Sequence, residues 1–220
     1  PAYKETPMFY EPKDGHGLAK NPFNSLVVPR PIGWITAVDQ AGNVNLAPYS
    51  FFNGVAYNPP TVMFSAGASR IEGTDGRKDS LRNALETGEF VHNFATWDTR
   101  DAMNQTSADL GPDQDEMALA GLTPIASTLV KPPRVKESPI QFECKVVQSV
   151  ELPNTKGEHL YTVVFGEVVG VHIADDLIMD NGQIDIGKLH PIARMGYQDY
   201  SEVTADTLFT MERPGFHPYT

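Results

Sequence analysis

Apolar residues occur along this chain mostly in short continuous or alternating runs, which is the pattern of β-strands. Loops rich in Asp, Asn, Gly and Pro separate these runs, so sequence neighbours are expected to pair as hairpins. Six runs are predicted to be strands: residues 32–38, 44–47, 61–66, 89–95, 140–152 and 160–174. Because strands and helices do not alternate regularly, a doubly wound parallel sheet is not expected. The pattern favours a mainly β, antiparallel, Greek-key-like barrel that is closed or nearly closed, which hides its strand edges.

The clearest helical pattern lies in the segment KDSLRNALETG. Its apolar residues share one face at helical spacing, and Gly88 is placed to end the helix. Asp79 or Ser80 can cap its N-terminus. Two weaker helical segments follow, TRDAMNQTSADL and PDQDEMALAGL, and the second is predicted to be acidic and exposed. The helices are therefore expected to be few and peripheral.

Length and composition indicate a single globular domain over residues 1–220, with an irregular arm at 1–23 and a C-terminal extension from about 184 to 220. The net charge is −11 and the Lys and Arg residues are scattered, so a nucleic-acid-binding face is not expected. No stretch approaches the roughly 20 apolar residues of a transmembrane helix. The N-terminus has no signal-peptide pattern, and a cytoplasmic protein is predicted.

The motifs of common catalytic and metal sites do not occur in this sequence. There is no GxGxxG, P-loop, GxSxG or HExxH pattern, and the six histidines have no metal-binding spacing. A metal site is therefore not predicted. The single cysteine, Cys144, lies in a strand-like run and is interpreted as an inert core residue.

Lys78, Asp79 and Ser80 stand at the start of the clearest helix. A helix N-terminus presents free N–H groups and a partial positive charge, which suit a phosphate. Lys78 adds a full charge, the Ser80 hydroxyl adds a hydrogen bond, and Arg70 and Arg77 lie just upstream. A phosphate site is one interpretation, and an ordinary capped helix with a nearby lysine is the other.

The stretch NLAPYS follows the second predicted strand. Pro48 has no N–H group and is expected to stop strand pairing, so that neighbouring amides point into a cleft. Asn45 and Ser50 add polar side chains. Such a turn suits the edge of a flat heteroaromatic ligand, but from the residues alone a simple strand-ending turn is the favoured interpretation.

Two longer segments resemble the flavin reductase-like family, which has the FMN-binding split-barrel fold. They are RPIGWITAVDQAGNVNLAPYSFFNGVAYNPPTVMFS and KDSLRNALETGEFVHN, followed by a late Arg-x-Gly at Arg194. Each motif alone is weak, but their order is specific to the family, and the resemblance covers roughly residues 24–200. Ser80 stands where threonine is commoner, and Gly196-Tyr197 replaces a frequent glycine pair.

This resemblance implies a homodimer with FMN bound near the subunit interface. The residues that would line or approach the isoalloxazine ring are Thr36, Asn45, Ala47, Pro48, Tyr49, Ser50 and Phe51. Those that would surround the phosphate are Ser65, Lys78, Asp79 and Ser80. Arg194 and Tyr200 would approach the flavin or the nicotinamide.

The activity that the resemblance implies is NAD(P)H-dependent flavin reduction, with a partner monooxygenase as one acceptor of the reduced flavin. Hydride transfer from the nicotinamide to the flavin needs no side-chain catalyst, because the cofactor carries the chemistry. The alternative is an FMN-binding electron carrier or flavin store that does not oxidise NAD(P)H. Trp34 and the long loops at residues 67–77 and after Trp97 favour this alternative, because they would narrow the space for a dinucleotide.

Overall fold

The computed structural model describes residues 7–69, 76–110, 114–156, 159–212 and 214–215. Antiparallel strands dominate the described part of the chain. The strands are β1 (Arg30–Pro31), β2 (Gly33–Val38), β3 (Val44–Tyr49), β4 (Phe52–Tyr57), β5 (Pro60–Gly67), β6 (Glu89–Phe94), β7 (Pro124–Ile125), β8 (Arg134–Val135), β9 (Ile140–Pro153), β10 (His159–Ile173), β11 (Ile192–Gly196) and β12 (Asp199–Glu202). The helices are α1 (Phe23–Leu26), α2 (Asp79–Thr87), α3 (Arg100–Gln105), α4 (Glu116–Leu119) and α5 (Ile186–Leu189), with 3₁₀ turns at Pro12–Asp14, Asp175–Leu177 and Ala205–Thr207.

Seven strands form the main sheet in the order β3-β2-β6-β9-β10-β5-β4, and all neighbours are antiparallel. β3 and β4 therefore lie at opposite edges, yet only Ser50 and Phe51 connect them. Such a link spans at most about 11 Å, so the sheet must curl until its edges meet. The Ser65 N–H donates to the Phe51 carbonyl at 2.8 Å and ties this link to β5. The predicted antiparallel, nearly closed barrel is confirmed.

All six predicted strands are present, and each belongs to this sheet. The sequence analysis missed the seventh strand, β4, which pairs with β5 from Phe52 opposite Phe64 to Tyr57 opposite Pro60. Every residue of β4 after Phe52 is exposed, so this strand carries no alternating apolar pattern. This segment is a strand because its backbone pairs with β5.

Pro48 lies inside β3, where it is paired with Trp34 of β2. The expectation that this proline stops strand pairing is therefore wrong. β3 is an edge strand, and a proline whose nitrogen faces the open side of an edge strand removes no ladder hydrogen bond. The following chain instead leaves the strand at Ser50 and crosses to the other edge of the barrel.

Two large apolar clusters, and a smaller third one of Ile140, Leu177 and Leu189, hold the described part of the chain together. One fills the barrel and includes Ile35, Phe64 and Phe90 together with Cys144, which is fully buried and has its thiol pKa raised by that burial. The other lies between the sheet and helices α3 and α4 and contains Trp34. The core interpretation of Cys144 is confirmed.

Helix α2 begins at Asp79 and ends at Gly88, whose φ of 74° is the left-handed conformation predicted for a C-terminal glycine. The N-cap residue is Lys78, and no side chain caps the helix. The predicted cap by Asp79 or Ser80 is wrong, because Asp79 pairs with Arg82 at 2.5 Å and the Ser80 hydroxyl donates to Asn45.

Helix α4 was predicted to be exposed, but Glu116 and Met117 are both buried. The acidic composition of this segment concealed one face that packs against β3. In the part of the chain that the structure describes, no helix has the length and apolar character needed to cross a membrane. The cytoplasmic location and the single-domain boundaries stay predictions.

Candidate functional site

One groove joins most of the residues that the sequence analysis singled out. It consists of three adjoining cavities of about 630, 140 and 100 Å³. Arg194 and Tyr200 line both the large and the middle cavity, and Pro48 and Ser107 line both the middle and the small one. We call this the β3 groove, because β3 forms one wall of its narrow end. A groove of this length can hold an extended ligand with chemically different ends.

The narrow end of the β3 groove lies at the N-terminus of helix α2. The Lys78 ammonium pairs there with the carboxylate of Asp109, and about one third of the lysine side chain is exposed. Asp79 also lines this cavity, and Arg82 neutralises its carboxylate. Lys78 therefore already contacts one oxyanion, next to the free N–H groups of a helix start.

Asn45 connects β3 to two other elements at the narrow end. Its Nδ2 donates to Glu116 Oε1 at 2.9 Å, and its Oδ1 accepts a hydrogen bond from the Ser80 hydroxyl. The other carboxylate oxygen, Glu116 Oε2, accepts from the Leu46 N–H at 3.3 Å. Burial raises the pKa of Glu116, because the charged form is desolvated there. Both polar atoms of the Asn45 side-chain amide are therefore hydrogen-bonded within the protein.

Ala47, Pro48 and Tyr49 line the narrow cavity, and Ser50 lines the middle one. Burial raises the pKa of Tyr49, and the carboxylates of Asp79 and Glu116 act in the same direction. The phenol thus stays neutral at any physiological pH and keeps its O–H as a hydrogen-bond donor. This wall of the groove is an apolar strand edge with a few fixed polar groups.

Four predicted site residues are not brought to the β3 groove: Thr36, Phe51, Ser65 and Ser80, the last of which is almost completely buried. Thr36 is fully buried and accepts a hydrogen bond from Asn93 Nδ2 at 2.7 Å. Ser65 and Phe51 lie at the barrel closure, joined by their backbones at 2.8 Å, and the Phe51 ring centroid is 5.7 Å from Cζ of Arg30. Arg77, which pairs with Glu86 at 3.8 Å, does not line the groove either. Arg70 falls outside the described residues.

Trp34 does not narrow the groove, although its size suggested that it would. Its side chain is fully buried, and its indole Nε1 donates to Thr106 Oγ1 at 2.9 Å. Trp34 therefore anchors the segment after α3 onto the sheet. The indole packs in the apolar cluster between the sheet and the helices, and it does not restrict access to the groove.

The wide cavity lies between helix α3 and the β11–β12 hairpin. Met103 and Ile192, both almost completely buried, provide an apolar floor. Arg194 lies over the Tyr200 ring, with 4.5 Å between its Cζ and the ring centroid, and its guanidinium donates to the Tyr200 hydroxyl. These two predicted residues are therefore together, at the junction of the wide and middle cavities.

Sequence reasoning missed many residues of the groove, among them Glu116, Trp97 and Arg100. Glu116 was interpreted as part of an exposed helix, and its partner Asn45 lies 71 positions away, so no local signal marked the contact. Trp97 and Arg100 line the wide cavity and stack at 4.0 Å from Cζ to ring centroid. Trp97 lies three positions before Arg100, the first residue of a helical segment, and this spacing could have predicted the contact.

Comparison with known proteins places this architecture in a family. Residues 25–188 match the model of the flavin reductase like domain. Nitrilotriacetate monooxygenase component B from Bacillus cereus is 33% identical, with 94% of this chain and 100% of that chain aligned at a TM-score of 0.84. The 2-nitrobenzoate 2-nitroreductase NbaA from Pseudomonas fluorescens is 27% identical, covering 90% and 91% of the two chains at a TM-score of 0.75.

A third solved structure, from Shewanella frigidimarina NCIMB 400, is described as a flavin reductase with a split barrel domain. It is 26% identical, with 90% of each chain aligned and a TM-score of 0.72. The barrel with two edges joined by a two-residue link is thus the split barrel that the sequence resemblance implied. The match extends over most of the chain, and the chain belongs to the flavin reductase-like family.

Proposed function

We propose that this protein binds FMN in the β3 groove and reduces it with NAD(P)H. The observation that carries the proposal is the continuity of three different environments along one groove. A lysine at a helix N-terminus stands at the narrow end, a strand edge forms the middle, and a wide cavity with an arginine at its mouth forms the other end. These environments suit in turn the phosphate, the ring and the incoming reductant.

The residues of the narrow end fit a phosphate. Lys78 contacts the carboxylate of Asp109, so its ammonium is placed to receive an oxyanion beside the N–H groups of α2. The Asp79 carboxylate repels a phosphate less strongly than an unpaired carboxylate would, because Arg82 pairs with it at 2.5 Å. Ser80, in contrast, is almost completely buried and donates to Asn45, so it supports the wall and does not reach the ligand.

The middle of the groove fits a flat ring with polar edges. Ala47 and Pro48 present small apolar surfaces, and Tyr49 and Ser50 add hydrogen-bonding groups beside them. β3 is an edge strand, so backbone groups on its outer side are not used by a neighbouring strand. Such a wall can hold a heterocycle by its edge while leaving one face open to a second molecule.

A bound flavin would supply the two-electron redox chemistry of the reaction. The protein residues have positioning and electrostatic roles. Arg194 carries a permanent positive charge at the junction of the cavities, which favours negative charge developing there. Tyr49 stays neutral and adds no charge to this wall of the groove. No side-chain nucleophile or general base is required.

Access for a nicotinamide supports the reductase over the electron carrier. The carrier was motivated by Trp34 and by long loops that would shut out a dinucleotide, and residues 70–75 of the 67–77 loop lie outside the described residues. Trp34 is buried in the core, and the cavity beside Arg194 has a volume of about 630 Å³. That volume lies within the range of pockets that hold nucleotide-sized ligands. NAD(P)H is therefore the proposed electron donor.

A partner monooxygenase and a homodimer also belong to this proposal. Similarity to a monooxygenase component B supports a role in supplying reduced flavin to an oxygenase. Exposed apolar side chains on β4 and on the second half of β9 support a dimer: Val55, Tyr57, Val147, Val150 and Leu152. Sedimentation analysis measures the dimer directly, and a strictly monomeric protein would exclude it.

The deciding experiment is the visible spectrum of the purified protein with FMN during anaerobic addition of NADH and then NADPH. Flavin absorbance that bleaches within seconds supports the reductase and identifies the donor. Flavin absorbance that persists with both nucleotides supports the carrier. A protein that neither retains FMN nor gains thermal stability when FMN is added would contradict both functions.

A further inference from the structure

The wide cavity of the β3 groove carries two arginine–aromatic stacks, one on each wall. On the α3 wall, Arg100 lies over the indole of Trp97 at 4.0 Å. On the hairpin wall, Arg194 lies over the phenol of Tyr200 at 4.5 Å. All four side chains line the same cavity. Such a stack fixes the plane of a guanidinium. Arg194 uses both terminal nitrogens within the hairpin, donating to the Tyr200 hydroxyl and the Tyr197 carbonyl, so Arg100 is the guanidinium more open to a ligand.

Backbone contacts hold the Trp97–Arg100 stack in place. The Arg100 guanidinium Nη1 donates to the Trp97 carbonyl at 2.6 Å, and the Trp97 N–H donates to the His190 carbonyl at 2.9 Å. The side chain of Trp97 nevertheless remains 42% exposed. A large aromatic surface is thus presented to the cavity by a preorganised element, at little entropic cost on binding.

The charges around the cavity leave Arg100 accessible to an anion. Its carboxylate neighbour is Asp101, with 3.6 Å between Nη2 and Oδ2, and the Asp101 side chain is 89% exposed. A contact of this kind is weak and readily exchanged. Glu202 also lines the cavity, and its carboxylate is held by His190. Arg100 therefore lines the cavity with only a weakly held carboxylate neighbour, near the apolar side chains of Met103 and Ile192.

We infer that the wide cavity binds a planar aromatic ring that carries an oxyanion, with Trp97 stacking on the ring and Arg100 pairing with the anion. This inference rests on the proposed function and names the chemistry of the second substrate. Two sources share that chemistry: the adenylate end of a dinucleotide donor, and an aromatic acid that accepts electrons. A purely apolar ligand would cover the Arg100 guanidinium without offering it a counter-charge stronger than the exposed Asp101 carboxylate.

The experiment is calorimetric titration of the FMN-saturated protein with two anionic probes and their neutral counterparts. The probes are 2′,5′-ADP against adenosine, and benzoate against benzamide. The same titrations are made with Arg100→Gln, which keeps most of the side-chain stem, and with Trp97→Leu, which removes the stacking surface. Lys188→Gln is the matched control, because it removes a cation in an exposed ion pair with Asp176 outside the cavity.

We expect at least one anionic probe to bind, and to bind about tenfold or more tightly than its neutral counterpart. Arg100→Gln should remove most of that preference, Trp97→Leu should weaken both members of the pair, and Lys188→Gln should change neither. Preference for 2′,5′-ADP assigns the site to the nucleotide donor, and preference for benzoate assigns it to an aromatic acid.

The inference is overturned if neither anionic probe binds, if the neutral probes bind equally well, or if Arg100→Gln keeps the parent's preference. FMN binding is read from the flavin spectrum of the same sample. Loss of FMN binding therefore identifies a failure of the proposed function, whereas FMN binding without probe binding identifies a failure of this inference alone. Circular dichroism of each variant establishes that it is folded.

Discussion

Lys78 and Asp109 form an ion pair at the N-terminus of helix α2, although 31 positions separate them in the sequence. The contact places a carboxylate where the proposed phosphate would bind. Lys78 is thus the cation proposed to bind the phosphate, and its partner Asp109 would compete with that phosphate for it. Two predictions follow from this arrangement, one for each side chain.

Replacing Lys78 by alanine should weaken FMN binding by about 1.5 to 3 kcal/mol, because a charge-assisted contact to the phosphate is lost. Quenching of FMN fluorescence on titration with protein measures the affinity. Lys188→Ala is the control, since Lys188 forms a comparable exposed ion pair with Asp176 away from the groove. An FMN affinity of Lys78→Ala equal to that of the parent would remove Lys78 from the site.

Replacing Asp109 by asparagine should strengthen FMN binding, because the amide keeps the shape of the side chain but no longer competes for Lys78. The expected gain is about 0.5 to 1 kcal/mol, the range of a partly exposed ion pair. The same titration at low and high salt tests the cause, because screening should reduce the difference between variant and parent. Weaker binding by Asp109→Asn would show that Asp109 helps to build the site.

Glu116 should make stability depend on pH because its carboxyl group is buried. Burial raises its folded pKa above the unfolded value of about 4.5, so the folded protein keeps a proton that the unfolded chain releases. This contribution is therefore complete below that value and is lost as the pH rises through the folded pKa. The free energy of unfolding of the parent relative to Glu116→Gln should fall as the pH is raised from 4.5 to 7.

Urea denaturation at several pH values measures that difference. Glu151→Gln, on the exposed part of β9, is the control and should show no comparable trend. A parent-to-variant difference that stays constant over this range would contradict the buried position of Glu116. The comparison between variants cancels the contributions of the other carboxylates, whose own titration acts on parent and variant alike.

His92 should act in the opposite direction. Burial lowers its pKa from 6.5 to about 4, and the ring stacks on Phe52 with 4.3 Å between centroids. The unfolded chain takes up a proton at a pH where the folded protein does not, so stability is complete above 6.5 and is lost as the pH falls toward 4. The parent should lose about 2 kcal/mol relative to His92→Phe between pH 8 and pH 5.

Phenylalanine preserves the stacked ring and removes the titrating group, so the variant isolates the protonation. It also loses the contact of His92 Nε2 with the Ile32 carbonyl at 3.3 Å, which lowers its stability equally at both pH values. Urea denaturation of both proteins at pH 5 and pH 8 gives the result. Equal pH dependence in parent and variant would mean that His92 is accessible to protons in the folded state.

Local patterns in the sequence determined much of the fold. The six predicted strands, helix α2 and the left-handed Gly88 follow from apolar spacing and from the backbone freedom of glycine. The loop between β2 and β3 followed from its composition, since the carboxylate of Asp39 accepts from the N–H groups of Ala41 and Asn43. These features depend on residues within a few positions of each other, so a short window contains the whole signal.

Tertiary structure alone decided the features that join distant parts of the chain. Pro48 is compatible with β3 because sheet order makes β3 an edge, and the exposed strand β4 exists because β5 is beside it. The bond from Asn45 to Glu116 and the cavity between α3 and the β11–β12 hairpin have the same origin. Barrel closure brings these segments together, and local periodicity carries no information about which distant segments a closed sheet will make neighbours.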